Sequence, residues 1–125
     1  MLHSDFRHTL VVASAVFAAA CSPRPAQVSN SRTGAFEAAL TPFDNGFAVA
    51  WYDTRDGNAE IYIRLLDGNS RLSGPERRLT GGNTWSILPA IRSWRAGFAL
   101  AWTEYQPTSS QSHEGPGEVA FAVVD

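Results

Sequence analysis

Lysine is missing altogether: all ten basic residues are arginine, set against 12 acidic ones for a net charge of −2. The arginines are scattered, and most have an acid nearby in sequence. No basic stripe exists that would track phosphates, so nucleic acid is not expected as a partner. Cysteine is nearly missing too. Cys21 stands alone, which excludes an internal disulfide. Histidine is sparse, and no Ser-His-Asp or Cys-His grouping emerges. After residue 20 no window sustains a helical period. At 125 residues the chain has room for one domain.

What is present begins with an address. MLHSDFRHTLVVASAVFAAA carries Arg7 in a polar start, an apolar run Leu10–Ala20, and small residues at its end. That order is the pattern of a secretory signal peptide, residues 1–20, expected as a short helix. The run is too short to cross the ~30 Å core of a bilayer as a helix. Ala18-Ala19-Ala20-Cys21 resembles a bacterial lipobox, with Ala18 where that family usually has Leu. The resemblance implies that Cys21 is acylated and becomes the N-terminus of the mature chain. Two other readings of the same residues stay open: an ordinary signal peptide that leaves Cys21 a free thiol, and a buried helix of a cytosolic domain. Residues 21–34, rich in Pro, Ser and Asn, are expected as a disordered, flexible tether. Ser22 is not the Asp that in enteric lipoproteins favours the inner membrane, so the resemblance implies the outer membrane of the bacterial envelope, where one exists.

The rest, residues 35–125, is repetitive. Ala38–Asp53 aligns with Pro89–Glu104 at an offset of 51, with six identities: Ala39/Ala90, Gly46/Gly97, Phe47/Phe98, Ala48/Ala99, Ala50/Ala101 and Trp51/Trp102. AEIYIRLLD (Ala59 to Asp67) then matches GEVAFAVVD (Gly117 to Asp125) across a longer loop. A period near 50 residues points to a modular architecture. The first unit is expected to hold four strands, near Phe36–Thr41, Phe47–Tyr52, Glu60–Leu66 and Glu76–Thr80. Asp/Asn/Gly clusters such as Asp44-Asn45-Gly46 supply the turns between them. The fold class expected is all-β, with four-stranded antiparallel propeller-like blades: one over 36–80 and an incomplete one over 88–125, about one and three-quarter blades.

One feature drives that choice over a sandwich. In FAVAW and FALAW large side chains alternate with alanines, and neither set is polar. A sheet with one face in water carries polar residues there. A blade packed on both sides does not. Phe47, Val49 and Trp51 are expected to fill one gap, and Ala48 and Ala50 to receive large side chains from the next sheet. Fewer than two blades leave apolar faces and strand edges bare. The expectations this raises are a truncated chain, a ring assembled from several copies, or a small sandwich.

Trp51-Tyr52-Asp53-Thr54-Arg55-Asp56-Gly57-Asn58, followed by Glu60-Ile61-Tyr62, resembles the bacterial propeller repeats often labelled sialidase-like. Arg78-Leu79-Thr80 and Pro89-Ala90-Ile91 extend the resemblance. The second unit keeps Trp102, has Glu104 for Asp53, and lacks the Arg and the Gly-Asn tip. Such repeats are specific for architecture and poor for activity. The family's chemistry needs clustered arginines, a tyrosine with a glutamate partner and an acid/base aspartate; no catalytic residue is carried over.

Candidate site residues remain few. Asp53, Asp56, Asn58 and Glu60 form an acidic hairpin tip, weak candidates for a metal such as calcium, which takes several oxygen ligands. Against this stands a structural reading: they set the turn and pair with Arg55, which shares a strand face with Asp53. Trp85 and Trp94 lie near loops and are the candidate aromatic platforms for a carbohydrate or protein ligand. No cofactor is implied. The function expected is that of a lipid-anchored binding or scaffold lipoprotein, in contact with membrane lipid through Cys21 and capable of self-association. The alternatives are a fragment of a sialidase-like glycoside hydrolase and a lectin-like module that closes a ring by oligomerisation.

Overall fold

The computed structural model of the chain describes residues 25–106 and 116–125. Cys21, the signal-peptide pattern and the loop around His113 lie outside these. Among the described residues there are seven strands: β1 (Ala35–Phe43), β2 (Gly46–Asp53), β3 (Glu60–Leu66), β4 (Leu72–Arg78), β5 (Trp85–Trp94), β6 (Gly97–Tyr105) and β7 (Gly117–Val124). They form two sheets with only neighbouring strands paired, β1-β2-β3-β4 and β5-β6-β7, and every pairing is antiparallel. The described residues contain no helix. β4 begins four residues earlier than the turn residues imply. Its partner β3 holds Leu72 opposite Leu66, and Gly74 at φ 85 falls where that pairing is irregular.

The two units repeat in backbone as well as in sequence. β1 and β5 each carry a register shift, between Phe36/Ala39 and between Ile87/Ala90. The residue inside each bulge has positive φ: Glu37 at 51° and Leu88 at 55°. The following hairpins also match, with Asp44 at 52° and Arg95 at 54°. These pairs lie at the same offset as the sequence repeat. Bulges add local twist, here to the first strand of each sheet.

The core lies between the sheets. Ala48 and Ala50 are wholly buried and contact a cluster with Ile61, Ile63, Ile91, Phe98 and Leu100; Trp102 and Val124 flank it. The bulky face of β6 therefore meets the alanine face of β2. Small residues let the second backbone approach, and large ones fill the gap to the density of a protein interior. Thr41, 1% exposed, accepts a bond from the Ser93 N–H at 3.2 Å and ties β1 to β5.

The opposite face of the first sheet carries Phe47, Val49 and Trp51. Trp51 is buried, while Phe47 and Val49 are half-buried. Residues 27–29 run beside Val49 and Trp51. This stretch, expected as tether, is bonded to the sheet. The Arg64 guanidinium donates to the Val28 carbonyl at 2.9 Å, Asn30 N–H to Glu76 at 2.7 Å, and the Ser31 hydroxyl to Asp53 at 2.8 Å.

Candidate functional site: the acidic hairpin between β2 and β3

Thr54–Gly57 forms the turn, closed by Gly57 N–H to the Thr54 carbonyl at 3.0 Å with Gly57 at φ 81. Asp53 ends β2 and is fully buried. A buried carboxylate needs partners. It has four bonds: Arg55 Nη2 at 2.6 Å, Ser31 Oγ at 2.8 Å, Arg55 N–H at 2.9 Å and Trp51 Nε1 at 3.3 Å. Burial pushes this carboxyl up, but the bonds from Arg55, Ser31 and Trp51 outweigh it and hold it at about 2.

Arg55 is the hub. It reaches Glu76 on β4 at 2.6 and 3.3 Å, and its guanidinium carbon lies 4.5 Å from the centre of the Tyr62 ring. The hydrogen bonds to Asp53 and Glu76 raise its affinity for the proton beyond the ordinary arginine range. Burial acts against the Glu76 charge, yet the Arg55 and Asn30 bonds lower its pKa overall. Tyr62 stacks on Trp51 at 6.1 Å and donates to Asp56; burial, then that bond, pushes the phenol up to about 12.

A second network holds the connection from β4 to β5. Glu60 is fully buried and accepts from Arg78 at 2.8 Å, Thr80 Oγ1 at 2.7 Å and Asn58 Nδ2 at 3.2 Å. Arg78 also pairs with Asp56 at 3.1 Å. Asn58 donates to the Gly82 carbonyl at 3.2 Å and to that of Thr84 at 2.7 Å. The Gly-Asn tip is thus a clamp on the crossover between sheets.

The structure brings Asp53, Asp56, Asn58 and Glu60 to one end of the first sheet, as their spacing predicts. It adds Ser31, Tyr62, Glu76, Arg78 and Thr80, which sequence reasoning did not place in the site. Glu76 and Ser31 lie 21 and 22 residues from their partners, without a local pattern to flag them. Among the described residues no group of three or more His, Cys, Asp or Glu side chains is placed to hold a metal ion. The carboxylates face arginines instead.

The second unit repeats part of this arrangement. The Trp102 indole N–H donates to Glu104, as Trp51 does to Asp53, and the Ser86 hydroxyl joins at 2.9 Å. Burial opposes the Glu104 charge, and the bonds from Thr84, Trp102 and Ser86 lower its pKa overall. The aromatic candidates part company. Trp85 opens β5 and is half-buried, whereas Trp94 closes it, is 52% exposed, and has Arg95 beside its ring. Nine steps along a strand separate them by about 30 Å, so they belong to no common platform.

No protein-family model, curated protein or solved structure matches the chain. Among the described residues no helix is long and apolar enough to cross a membrane.

Proposed function

We propose that the protein is an exported, lipid-anchored lipoprotein of propeller type, and that it serves as a binding or scaffold module rather than as a catalyst. The observation that carries the reading is the fate of the charged residues at the hairpin. Asp53, Asp56, Glu60 and Glu76 are held by Arg55 of the hairpin turn and Arg78 at the end of β4. Tyr62 is engaged by Asp56 and stacked under Arg55. Arginines and a tyrosine committed to one another support a structural role for the Trp-x-Asp-x-Arg hairpin. The bulky-on-alanine packing supports stacked blades. The Ala18-Ala19-Ala20-Cys21 motif supports the anchor.

The test is lipid labelling. Expressed in a bacterium with two membranes and fed an alkyne fatty acid, the wild-type protein is expected to take up label and sediment with membranes. Cys21→Ser is expected to lose both properties. A wild-type protein that stays unlabelled and soluble would overturn the anchor.

A further inference from the structure

Residues 27–34 have the composition of a loose tether and the structure of a bound strap. Three hydrogen bonds fix them, to three different strands. The Val28 carbonyl accepts from Arg64 of β3 at 2.9 Å, the Asn30 N–H donates to Glu76 of β4 at 2.7 Å, and the Ser31 hydroxyl donates to Asp53 of β2 at 2.8 Å. Asp53 and Glu76 are the two carboxylates that Arg55 bridges, so the strap is tied to the Arg55 hub. Gln27, Val28 and Ser29 run along the outer face of the first sheet, beside Phe36, Val49 and Trp51.

The strap has a counterpart inside the chain. It stands 51 positions before residues 78–85, which run from the end of β4 into β5. There Leu79 takes the place of Val28, packs against the core and donates its N–H to the Ile61 carbonyl at 2.7 Å. Ser86 then serves Glu104 as Ser31 serves Asp53. Both β1 and β5 are therefore entered from a segment seated on the molecule, and the N-terminal one follows the repeat rather than trailing from it.

Seating the strap shortens the free chain. A free linker over residues 21–34 would reach about 45 Å, at 3.3–3.6 Å per residue. With residues 27–34 bound, only the six steps from Cys21 to Gln27 are left, and whatever their conformation they span no more than about 20 Å. A fold of about 90 residues is itself roughly 30 Å across. We infer that the strap holds the folded part against the lipid surface, the outer face of the first sheet nearest to it, so that a partner must meet this module at that same membrane. The inference rests on the lipid anchor at Cys21 proposed above. The net charge of −2 does not draw the protein to anionic headgroups; the short covalent link does the holding.

The experiment uses the full chain, purified from membranes and inserted into the outer leaflet of preformed phosphatidylethanolamine–phosphatidylglycerol vesicles. Asn45→Cys, exposed at the turn between β1 and β2, carries a donor dye. An acceptor-labelled lipid then reports distance by energy transfer. Dye stoichiometry tests the anchor separately: one dye per chain means that the Cys21 thiol is blocked, and two mean that it is free. Two further chains, both with Asn45→Cys, lengthen the link. One has a spacer of about 30 Gly/Ser residues between Ala26 and Gln27, which adds roughly 30 Å of root-mean-square length. The other, Asn30→Pro with Arg64→Ala, removes the donors to Glu76 and to the Val28 carbonyl. Far-ultraviolet circular dichroism checks that each folds. The strapped chain is expected to give the highest transfer, the spacer to halve it or more, and the double substitution to lower it. One dye per chain with equal transfer in the strapped and spacer chains would overturn this inference and leave the anchor standing. Unchanged transfer in a folded Asn30→Pro/Arg64→Ala chain would also overturn it, since the strap would then not set the distance. Two dyes per chain and no membrane binding would overturn both the anchor and this inference.

Discussion

Asp53 shows how one side chain is made dependent on its neighbours. It is buried as an anion because four donors converge on it, and its carboxyl lies at about 2 against an ordinary 3.8. The folded state thus binds this proton more weakly than the unfolded state, and Glu76 and Glu104 are shifted in the same direction. Their contribution is complete above the ordinary carboxylate range and is lost as pH falls through about 2 for Asp53. Tyr62 works in the opposite sense. Its phenol is raised from 10.0 to about 12, so its contribution is present below pH 10 and is lost as pH rises to about 12. Urea midpoints measured against pH should show both flanks. Asp53→Asn should start lower and have a shallower acid flank than wild type; an unchanged acid slope would contradict the assignment. The Asp53–Arg55 pairing is expected from the sequence, but not for the reason a shared strand face supplies: β2 ends at Asp53 and Arg55 folds back onto it from the turn. The burial of Asp53 is not legible there. It depends on residues 28–31, whose Pro, Ser and Asn neighbourhood signals a tether and whose partners are tens of residues away.

The first hairpin of each sheet has a glycine at the start of its second strand. A Cβ on Gly46 would sit 2.0 Å from the Leu66 carbonyl oxygen, and on Gly97 2.0 Å from that of Val124. The obstacle is backbone, so no side-chain rotation relieves it. Gly46→Ala and Gly97→Ala are each expected to cost about 2 kcal/mol or more in denaturant unfolding. Gly57 provides the contrast. It has positive φ but open space around it, so Gly57→Ala should cost only the left-handed penalty of about 1 kcal/mol. Equal losses at all three sites would show that close approach is not what selects glycine at 46 and 97. The identity Gly46/Gly97 is visible in the sequence. The matching bulges are hidden, because Glu37 and Leu88 share no chemistry and neither side chain favours positive φ. The backbone repeats there through hydrogen-bond register, which a comparison of residue types does not register.

At the scale of the molecule the packing is directional: large onto small, with different surfaces left at the two ends. The alternation in FAVAW and FALAW made the mode of contact readable. Which of the two units lies beneath the other was not readable, since both carry the same alternation; the crossover held by Asn58 and Glu60 fixes it. Equivalent positions must then respond differently. Ile61→Ala, under the second sheet, is expected to cost about 2–5 kcal/mol. Val119→Ala, at the same place in the repeat but exposed, should stay within about 0.5 kcal/mol. Chemical denaturation of the two variants decides this, and similar losses would mean that both faces are covered. The indole-to-carboxylate bonds of Trp51 and Trp102 have a consequence of their own. Each sheet carries one indole bonded to the carboxylate two residues on, so two single-tryptophan chains, one keeping Trp51 and the other Trp102 with the remaining indoles changed to Phe, make the layers separately visible to fluorescence, and the order in which they come apart can be followed by light.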